Sequence, residues 1–321
     1  MKTNPLVSVI IPTYNRATVL ETSVRSALAQ TYPNVEIIVV DDGSEDNTAE
    51  LIKNYPSVRY IQQEHAGQGT ARNRGLRDAK GTLIASLDSD DYWQPDFLQK
   101  CIALLEEHNL DFVFANWIQD CVDGTQKDFC RMSYYLRHYF ERQDQEFILF
   151  DTAELRALYI QACPSPSSSL LIRASSMVSG WDARMNIADD WCMLLDMLLS
   201  KKNCRAAMIK EPLWRKTIVG DNVFDGRKRE EVYNLLYVAD AKVILDRHQH
   251  QLTLAEKRFL QKRYLEYLVR SAKYKISTGG KMREGFSMMK EAAVFHPLNY
   301  ARIFSKLMVQ SFRRKWNEFA G

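Results

Sequence analysis

The feature that most constrains the fold is a regular alternation of short apolar runs and helical patterns over the first 117 residues. The apolar runs cover residues 7–11, 35–40, 58–61, 83–87 and 112–117, and apolar side chains at helical spacing lie between them. Strands that are apolar throughout and joined by helices form a parallel sheet that is covered on both faces. We therefore expect an α/β fold of Rossmann-like type with a mainly parallel sheet.

The regular alternation ends near residue 118. The next segments have the pattern of a strand over 168–173, a helix over 189–200 and a strand over 205–209, and the sequence beyond residue 225 has a helical pattern. We expect one domain over residues 1–220, with a division near residue 117, followed by a helical region over 221–321.

The formal net charge of +3 is the sum of two opposed parts. Residues 1–250 carry 28 Lys and Arg against 35 Asp and Glu, whereas residues 251–321 carry 15 against 5, so an acidic body (−7) precedes a basic tail (+10). The hydrophobic fraction of 46% is that of an ordinary globular protein, which excludes a disordered or fibrous chain. The six cysteines form no C-x-x-C pair, so we expect reduced thiols without a metal or redox role.

The sequence contains no apolar run of the roughly 20 residues needed to span a bilayer. Its N-terminus leads directly into the first strand pattern and lacks the apolar stretch of a secretory signal. We expect a cytoplasmic protein, or one that is peripheral on the inner face of the membrane.

Three of the predicted strands end in unusual polar segments. Residues 13–16 follow the first strand, 41–44 the second and 88–91 the fourth. Right-handed crossovers bring the carboxyl ends of parallel strands to one rim of the sheet, where α/β proteins bind their ligands. The sequence therefore predicts a ligand site built from these three segments.

Asp88, Asp90 and Asp91 place three carboxylates within four residues. Such like charges repel one another unless a cation offsets them, and Mg²⁺ and Mn²⁺ combine one or two carboxylates with substrate phosphates. The cluster indicates a divalent metal that joins the protein to a phosphorylated ligand. The alternative is an Asp-rich turn that caps the helix beginning near Pro95.

Two further segments fit nucleotide recognition. Asp41 and Asp42 follow a strand, where a carboxylate can accept hydrogen bonds from a base or a ribose, although a turn with a helix N-cap is the alternative. Residues 65–75 supply a Gly-rich helix N-terminus and Arg72, both suited to phosphate oxygens, and a Gly-rich turn is the simpler explanation of the same residues.

Four motifs occur in order over residues 9–16, 39–44, 69–75 and 87–91, and a Gly180-Trp181-Asp182 segment and the acidic pair Asp189-Asp190 follow them. With these motifs the chain resembles the inverting glycosyltransferases of family 2, which have a GT-A fold. The resemblance covers about residues 5–216 and implies that 1–117 binds a nucleotide sugar and 118–220 an acceptor.

By this resemblance, Thr13 and Asp41 contact the nucleobase, Arg72 assists nucleotide binding, and Asp88 and Asp90 form an Asp-X-Asp element. The donor-binding residues that it implies are Pro12, Thr13, Tyr14, Asn15, Arg16, Asp41, Asp42, Arg72, Asp88, Ser89 and Asp90. The metal ligands that it implies are Asp88, Asp90 and Asp91, with Mn²⁺ or Mg²⁺ as the ion.

Asp190 is the general base that the resemblance implies. A carboxylate within hydrogen-bond reach can take the proton of an acceptor hydroxyl as the new bond forms. The family usually has Glu-Asp at this pair, and here Asp189 shortens the first acid or serves only as a helix cap. Thr217 stands where many members carry histidine, which leaves Arg215 and Lys216 to offset the charge of the leaving group.

The resemblance implies metal-dependent transfer of a hexosyl or N-acetylhexosaminyl group. The donor is expected to be a nucleotide-diphosphate sugar, a UDP-sugar above others, and the acceptor a saccharide or lipid-linked hydroxyl in cell-surface polysaccharide or glycan synthesis. One alternative is a nucleotidyltransferase, which usually needs a Gly-rich basic loop after the first strand that this sequence lacks. The other is a non-catalytic nucleotide-sugar-binding protein whose basic tail binds a membrane or nucleic acid.

The basic tail itself allows three roles. Residues 302–316 alternate basic and apolar side chains as a basic amphipathic helix does. Such a helix can pack on the catalytic body, adsorb to an anionic membrane surface or form a homo-oligomer contact. No nucleic-acid partner is expected, because the sequence contains no recognisable nucleic-acid-binding motif.

Overall fold

A computed structural model describes residues 4–121, 123–142, 146–217, 227–277 and 280–307. The chain divides into two compact units. The first comprises residues 1–184 and 188–222, and the second comprises 185–187 and 223–321. The predicted domain boundary near residue 220 and residues 308–316 of the predicted amphipathic helix lie outside the described residues.

The first unit is built on one mixed sheet whose main path has the strand order β3-β2-β1-β4-β9-β6-β10-β5, with β7 beside β6 and β8 beside β10. The strands are β1 (Val7–Thr13), β2 (Val35–Asp41), β3 (Val58–Gln62), β4 (Leu83–Ser86), β5 (Asp91–Trp93), β6 (Phe112–Asp120), β7 (Gln126–Asp128), β8 (Phe147–Phe150), β9 (Leu170–Arg173) and β10 (Ala206–Thr217). The helices are α1 (Ala17–Leu28), α2 (Thr48–Ile52), α3 (Gln68–Asp78), α4 (Phe97–Glu107), α5 (Phe129–Met132), α6 (Arg137–Arg142), α7 (Thr152–Gln161) and α8 (Asp189–Ser200).

The predicted α/β fold with a mainly parallel sheet is confirmed. Strands β1, β2, β3 and β4 pair in parallel, and β6 pairs in parallel with β10. Their apolar side chains form the core, since Val9, Ile10, Ile38 and Val40 are fully buried. Each of these strands has covered faces, which is why its sequence is apolar throughout rather than alternating.

The structure shows strand directions that the sequence pattern does not predict. β9 runs antiparallel to both β4 and β6, and β5 runs antiparallel to β10. An apolar run is compatible with a parallel and with an antiparallel strand. Hydrophobic periodicity therefore does not predict these pairings. They bring residues 88–93 and 167–169 next to the rim of the parallel half of the sheet.

The second unit is helical, as the sequence pattern predicts. It contains α9 (Arg229–Asn234), a π-helical segment (Leu235–Asp240), α10 (Ala241–His248), α11 (Leu254–Ser277) and α12 (Met282–Phe295), and residues 297–307 are also helical. Within this unit the Asp240 carboxylate accepts hydrogen bonds from the backbone N–H groups of Asn186 and Ile187 at 2.9 and 2.8 Å. The Arg263 guanidinium of α11 lies over the Tyr237 ring of the π-helical segment.

None of the helices in the described part of the chain is both long enough and apolar enough to cross a membrane.

Candidate active site

The three polar segments meet at one rim because β1 lies between β2 and β4. Thr13 pairs with Asp41 at the carboxyl ends of β1 and β2, and the backbone N–H of Leu87, just after β4, donates to the carbonyl of Ile10 in β1. The chain then turns sharply, since the N–H of Asp91 donates to the carbonyl of Asp88 at 3.1 Å. This turn brings the three acids that follow β4 into one cluster.

Asp88, Asp90 and Asp91 each offer a carboxylate oxygen, and these three oxygens lie within 4.8 Å of one another. Burial and the neighbouring Asp88 raise the pKa of Asp90, and the same causes together with Asp90 raise the pKa of Asp91 well above its ordinary value. The cluster therefore holds its negative charge at an energetic cost, which a bound cation would remove.

A hard divalent ion fits these residues. Asp91 is 3% exposed, and its Oδ1 has no hydrogen-bond partner among the described residues, whereas its Oδ2 accepts the Ser168 hydroxyl at 2.6 Å. A buried carboxylate oxygen without a donor is costly unless a cation or water contacts it. The oxygen-only donor set is the one that Mg²⁺ and Mn²⁺ prefer. Which of the three acids would ligate the ion stays a prediction.

Asp41 and Asp42 lie on the same rim but already have protein partners. Asp41 accepts the Ser44 N–H at 2.8 Å and the Tyr60 hydroxyl, and burial followed by this bond raises the pKa of Tyr60. Asp42 accepts the backbone N–H groups of Ala66 and Gly67 at 3.0 and 2.7 Å. The predicted contact of these acids with the donor stays a prediction. In the structure Asp42 anchors the loop before α3, and Asp41 is bonded to Ser44 and Tyr60.

Residues 12–16 lie at the end of β1, between the ends of β2 and β4. The ring of Tyr14 stacks on that of His65 with 4.1 Å between centroids, and Asn15, at a φ of +50°, donates its backbone N–H to the Ser44 hydroxyl at 2.8 Å. Thr13 is buried, and its hydroxyl has no hydrogen-bond partner within the described segments. The positive charge of Arg16 lowers the pKa of Asp90, which opposes the larger effect of burial. These positions suit a ligand beside the acidic cluster.

Arg72 connects the acidic cluster to the second pair of acids. Its guanidinium is 3% exposed and donates from Nη1 to Asp189 at 2.5 Å and from Nη2 to Asp88 at 2.6 Å. A buried arginine between two carboxylates holds both in place, since each bond is charge-assisted. Its predicted contact with the nucleotide stays a prediction, and what the structure shows is this internal bridge.

Asp190 lies at the start of α8, half-buried. Its Oδ1 accepts the backbone N–H of Trp191 at 2.7 Å, and its Oδ2 accepts that of Ser167 at 3.0 Å. Burial and the neighbouring Asp189 raise the pKa of Asp190 to about 7. A carboxylate with that pKa is near the best value for accepting a proton at neutral pH.

Asn73 lies within the motif over residues 69–75 but received no predicted role, and residues 167–169 belong to no motif. Asn73 donates to the carbonyl of Trp181 at 2.6 Å and accepts its N–H at 2.9 Å, and a Cβ on Gly180 would lie 2.0 Å from the Asn73 amide oxygen. This contact explains why glycine precedes Trp181. The signal for residues 167–169 was a run of three serines after two prolines, which is unusually polar for a segment that turns out to be buried.

The end of β10 faces the acidic cluster from the other side. Lys216 pairs with Asp91 in the antiparallel register of β10 and β5, and its charge lowers the pKa of Asp91 against the larger effect of burial. Arg215 donates to both oxygens of Asp120, at 2.9 and 2.5 Å. Of the two cations predicted to offset the leaving group, Lys216 therefore lies beside the metal candidate and Arg215 is held by an acid of β6.

The rim thus joins a carboxylate cluster suited to a divalent ion with a separate carboxylate suited to proton transfer. Residues 8–161 match the family model "Glycosyl transferase family 2". Residues 8–161 therefore belong to glycosyltransferase family 2. TuaG of Bacillus subtilis (strain 168), a glycosyltransferase whose name refers to teichuronic acid biosynthesis, is 38% identical over 130 residues, which is 39% of this chain and 51% of TuaG. The chain thus aligns with about half the length of that relative.

Solved structures of other proteins have the same fold as this chain. TarS 1–349 of S. aureus in complex with UDP-GlcNAc is similar with a TM-score of 0.64 and 19% identity, over 90% of this chain and 80% of that one. The mannosyltransferase PcManGT of Pyrobaculum calidifontis, in complex with GDP-Man and Mn²⁺, is similar with a TM-score of 0.55 and 17% identity, over 98% and 84%. The expected GT-A architecture is confirmed by these similarities.

Proposed function

We propose that this protein is an inverting glycosyltransferase that moves a hexosyl or N-acetylhexosaminyl group from a nucleotide-diphosphate sugar, expected to be a UDP-sugar, to a hydroxyl group. The expected acceptor is a saccharide or lipid-linked glycan of a cell-surface polysaccharide. The observation that carries the proposal is the pairing of Asp190, with a pKa raised to about 7, and a partly buried acidic cluster, the two being linked through Asp189 and Arg72.

The acidic cluster is proposed to receive a Mn²⁺ or Mg²⁺ ion through Asp88, Asp90 and Asp91. Such an ion supplies charge compensation for the diphosphate of the donor. Lys216, opposite Asp91, adds a positive charge at the same place. The TarS complex contains UDP-GlcNAc and the PcManGT complex contains GDP-Man and Mn²⁺, so related folds hold a donor of this class.

Asp190 is proposed to accept the proton of the acceptor hydroxyl. The N–H groups of Ser167 and Trp191 hold its two oxygens in fixed directions. The α8 N-terminus stabilises the charged carboxylate, and burial beside Asp189 keeps its basicity high enough to take a proton. The acceptor oxygen forms its bond to the anomeric carbon as the bond from that carbon to the nucleoside diphosphate breaks and the nucleoside diphosphate leaves. This single displacement from the opposite face gives a product of inverted anomeric configuration.

The first experiment screens UDP-GlcNAc, UDP-glucose and GDP-mannose with Mn²⁺ and oligosaccharide acceptors, and measures the released nucleoside diphosphate and the anomeric configuration of the product by NMR. The Asp190→Asn variant keeps the size of the side chain but not its basicity. We expect turnover to fall by about 10²–10⁴ with donor affinity retained. The exposed Asp123, changed to Asn, is the control and should have wild-type turnover.

Two results would contradict the proposal. Release of pyrophosphate in place of nucleoside diphosphate would identify a nucleotidyltransferase. Unchanged turnover in the Asp190→Asn variant would remove the base assignment.

A further inference from the structure

The buried serine turn (residues 167–169) contacts both halves of the proposed chemistry. It is a 3₁₀ turn between α7 and β9, preceded by Pro166. Its three serines are at most 2% exposed. Serine is mostly an exposed residue, so three in a row in the interior indicate that their polar groups bind something there.

The Ser168 hydroxyl forms hydrogen bonds with two residues of the acidic cluster. Its Oγ donates to Asp91 Oδ2 at 2.6 Å and accepts the backbone N–H of Asp88 at 3.0 Å. Its carbonyl accepts the indole N–H of Trp93 at 2.7 Å, on the strand that begins at Asp91. These bonds fix the turn that gathers the three acids.

The backbone of Ser167 forms a hydrogen bond with Asp190, the proposed base. Its N–H donates to Asp190 Oδ2 at 3.0 Å. Because Ser167 and Ser168 are adjacent, their Cα atoms are about 3.8 Å apart, and the two contacts share one rigid turn.

We propose that Ser167 and Ser168 are positioning residues that set Asp190 in register with the acidic cluster. Ser168 occupies one oxygen of Asp91 and directs the other, which has no hydrogen-bond partner among the described residues, toward a cation. Ser167 directs Asp190 Oδ2 and favours its charged form. This inference rests on the proposed function for Asp190, whereas the part concerning Ser168 needs only that the cluster binds a divalent ion.

The proposed role of Ser168 is tested by titrating the full chain with Mn²⁺ in the absence of donor and acceptor. Electron paramagnetic resonance measures the binding. We expect Ser168→Ala to weaken Mn²⁺ binding about 10–100-fold, the loss typical of removing a hydrogen bond to a metal ligand. Ser168→Thr keeps the hydroxyl and should restore binding to within about threefold of the wild type.

The Ser167 part uses a pair of variants that separate its backbone from its side chain. Ser167→Pro removes the N–H, and proline is tolerated at the first residue of a helical turn. The preceding Pro166 has the extended ψ of 161° that a following proline requires. Ser167→Ala keeps the N–H and is the matched control.

We expect Ser167→Pro to lower kcat about 10–100-fold with the KM for donor unchanged. The acid limb of its kcat profile should move to higher pH, because a hydrogen bond to the charged form of the base is lost. Ser167→Ala should keep the wild-type kcat and the wild-type acid limb of the kcat profile. A purely structural turn would lower thermal stability in both variants without moving the limb.

The inference is overturned if Ser168→Ala binds Mn²⁺ as the wild type does, or if Ser167→Pro keeps the wild-type kcat and pH limb. Failure of the proposed function looks different. In that case Asp190→Asn retains turnover, while Ser168→Ala still weakens Mn²⁺ binding.

Discussion

Two acidic regions at the rim of one sheet have the same sequence character and opposite physical states. The Asp41–Asp42 pair is saturated by protein donors, which include the N–H groups of Ser44 and Gly67. In the Asp88–Asp91 cluster the pKa values of Asp90 and Asp91 are raised, and one buried oxygen of Asp91 has no hydrogen-bond partner in the described part of the chain. The acids that follow β2 therefore anchor neighbouring segments, whereas the acids that follow β4 are candidate metal ligands.

The contrast indicates that the hydrogen-bond donors around a carboxylate determine its role more than its position in the sheet does. A carboxylate that accepts two or three N–H bonds is stabilised in its charged form without a metal. One that faces like charges needs a cation from outside. The predictions that follow separate these two states, and a result that makes the regions behave alike would break the comparison.

Among the changes within these two acidic regions, the largest effect is expected for Asp91→Asn. Removal of one charge from the cluster should abolish measurable Mn²⁺ binding and lower turnover by about 10²–10³, as loss of a key electrostatic group does. The metal-free variant should be as stable as the wild type or more stable, because repulsion within the cluster is relieved. Mn²⁺ titration, initial rates and thermal unfolding check the three outcomes, and a variant that unfolds at lower temperature while keeping Mn²⁺ binding would make Asp91 an anchor.

Asp42→Ala should show the reverse behaviour. It leaves the backbone N–H groups of Ala66 and Gly67 without an acceptor, so we expect a loss of about 3 kcal/mol in the free energy of unfolding. Mn²⁺ affinity should stay within about twofold of the wild type, since this pair does not belong to the cluster. Denaturant unfolding and the same Mn²⁺ titration test it, and a large loss of Mn²⁺ binding without a loss of stability would contradict the distinction.

The sequence predicted the strands, the crossover helices and the location of both regions, because each depends on local pattern. It did not predict which acids are saturated, because the donors come from distant segments. Tyr60 reaches Asp41 from β3, and Ser168 reaches Asp91 across 77 positions. Arg72 illustrates the same limit, since its local context suggested phosphate binding and its observed partners are Asp88 and Asp189.

Asp190 combines features of both regions, since backbone N–H groups bond both of its oxygens while burial raises its pKa, and its titration should be visible in stability. Its pKa is raised to about 7 in the folded chain, whereas an aspartate in an unfolded chain has a pKa of about 3.9. The folded state therefore binds the extra proton between these values, and the contribution of Asp190 to stability falls as pH rises from about 4 to about 7.

Unfolding free energies of the wild type and Asp190→Asn, measured from pH 4 to 8 without metal, isolate this contribution. The wild type should lose about 2 kcal/mol relative to the variant over that range, after allowance for partial exposure. A constant difference between the two proteins would show that Asp190 titrates like an exposed acid and would place it with the saturated pair.

The smallest expected effect is that of Tyr60→Phe, which removes one donor from the saturated region. Asp41 keeps the Ser44 N–H and loses the Tyr60 hydroxyl, so we expect a loss of about 1 kcal/mol. For a domain of this size that corresponds to a fall of about 2–4 °C in Tm. Tyr55→Phe is the matched control, because its hydroxyl donates to the half-exposed Glu21 and should contribute little. Donor affinity should be unchanged in both, and a tenfold loss confined to Tyr60→Phe would mean that the anchor region also orients a carboxylate toward the nucleotide.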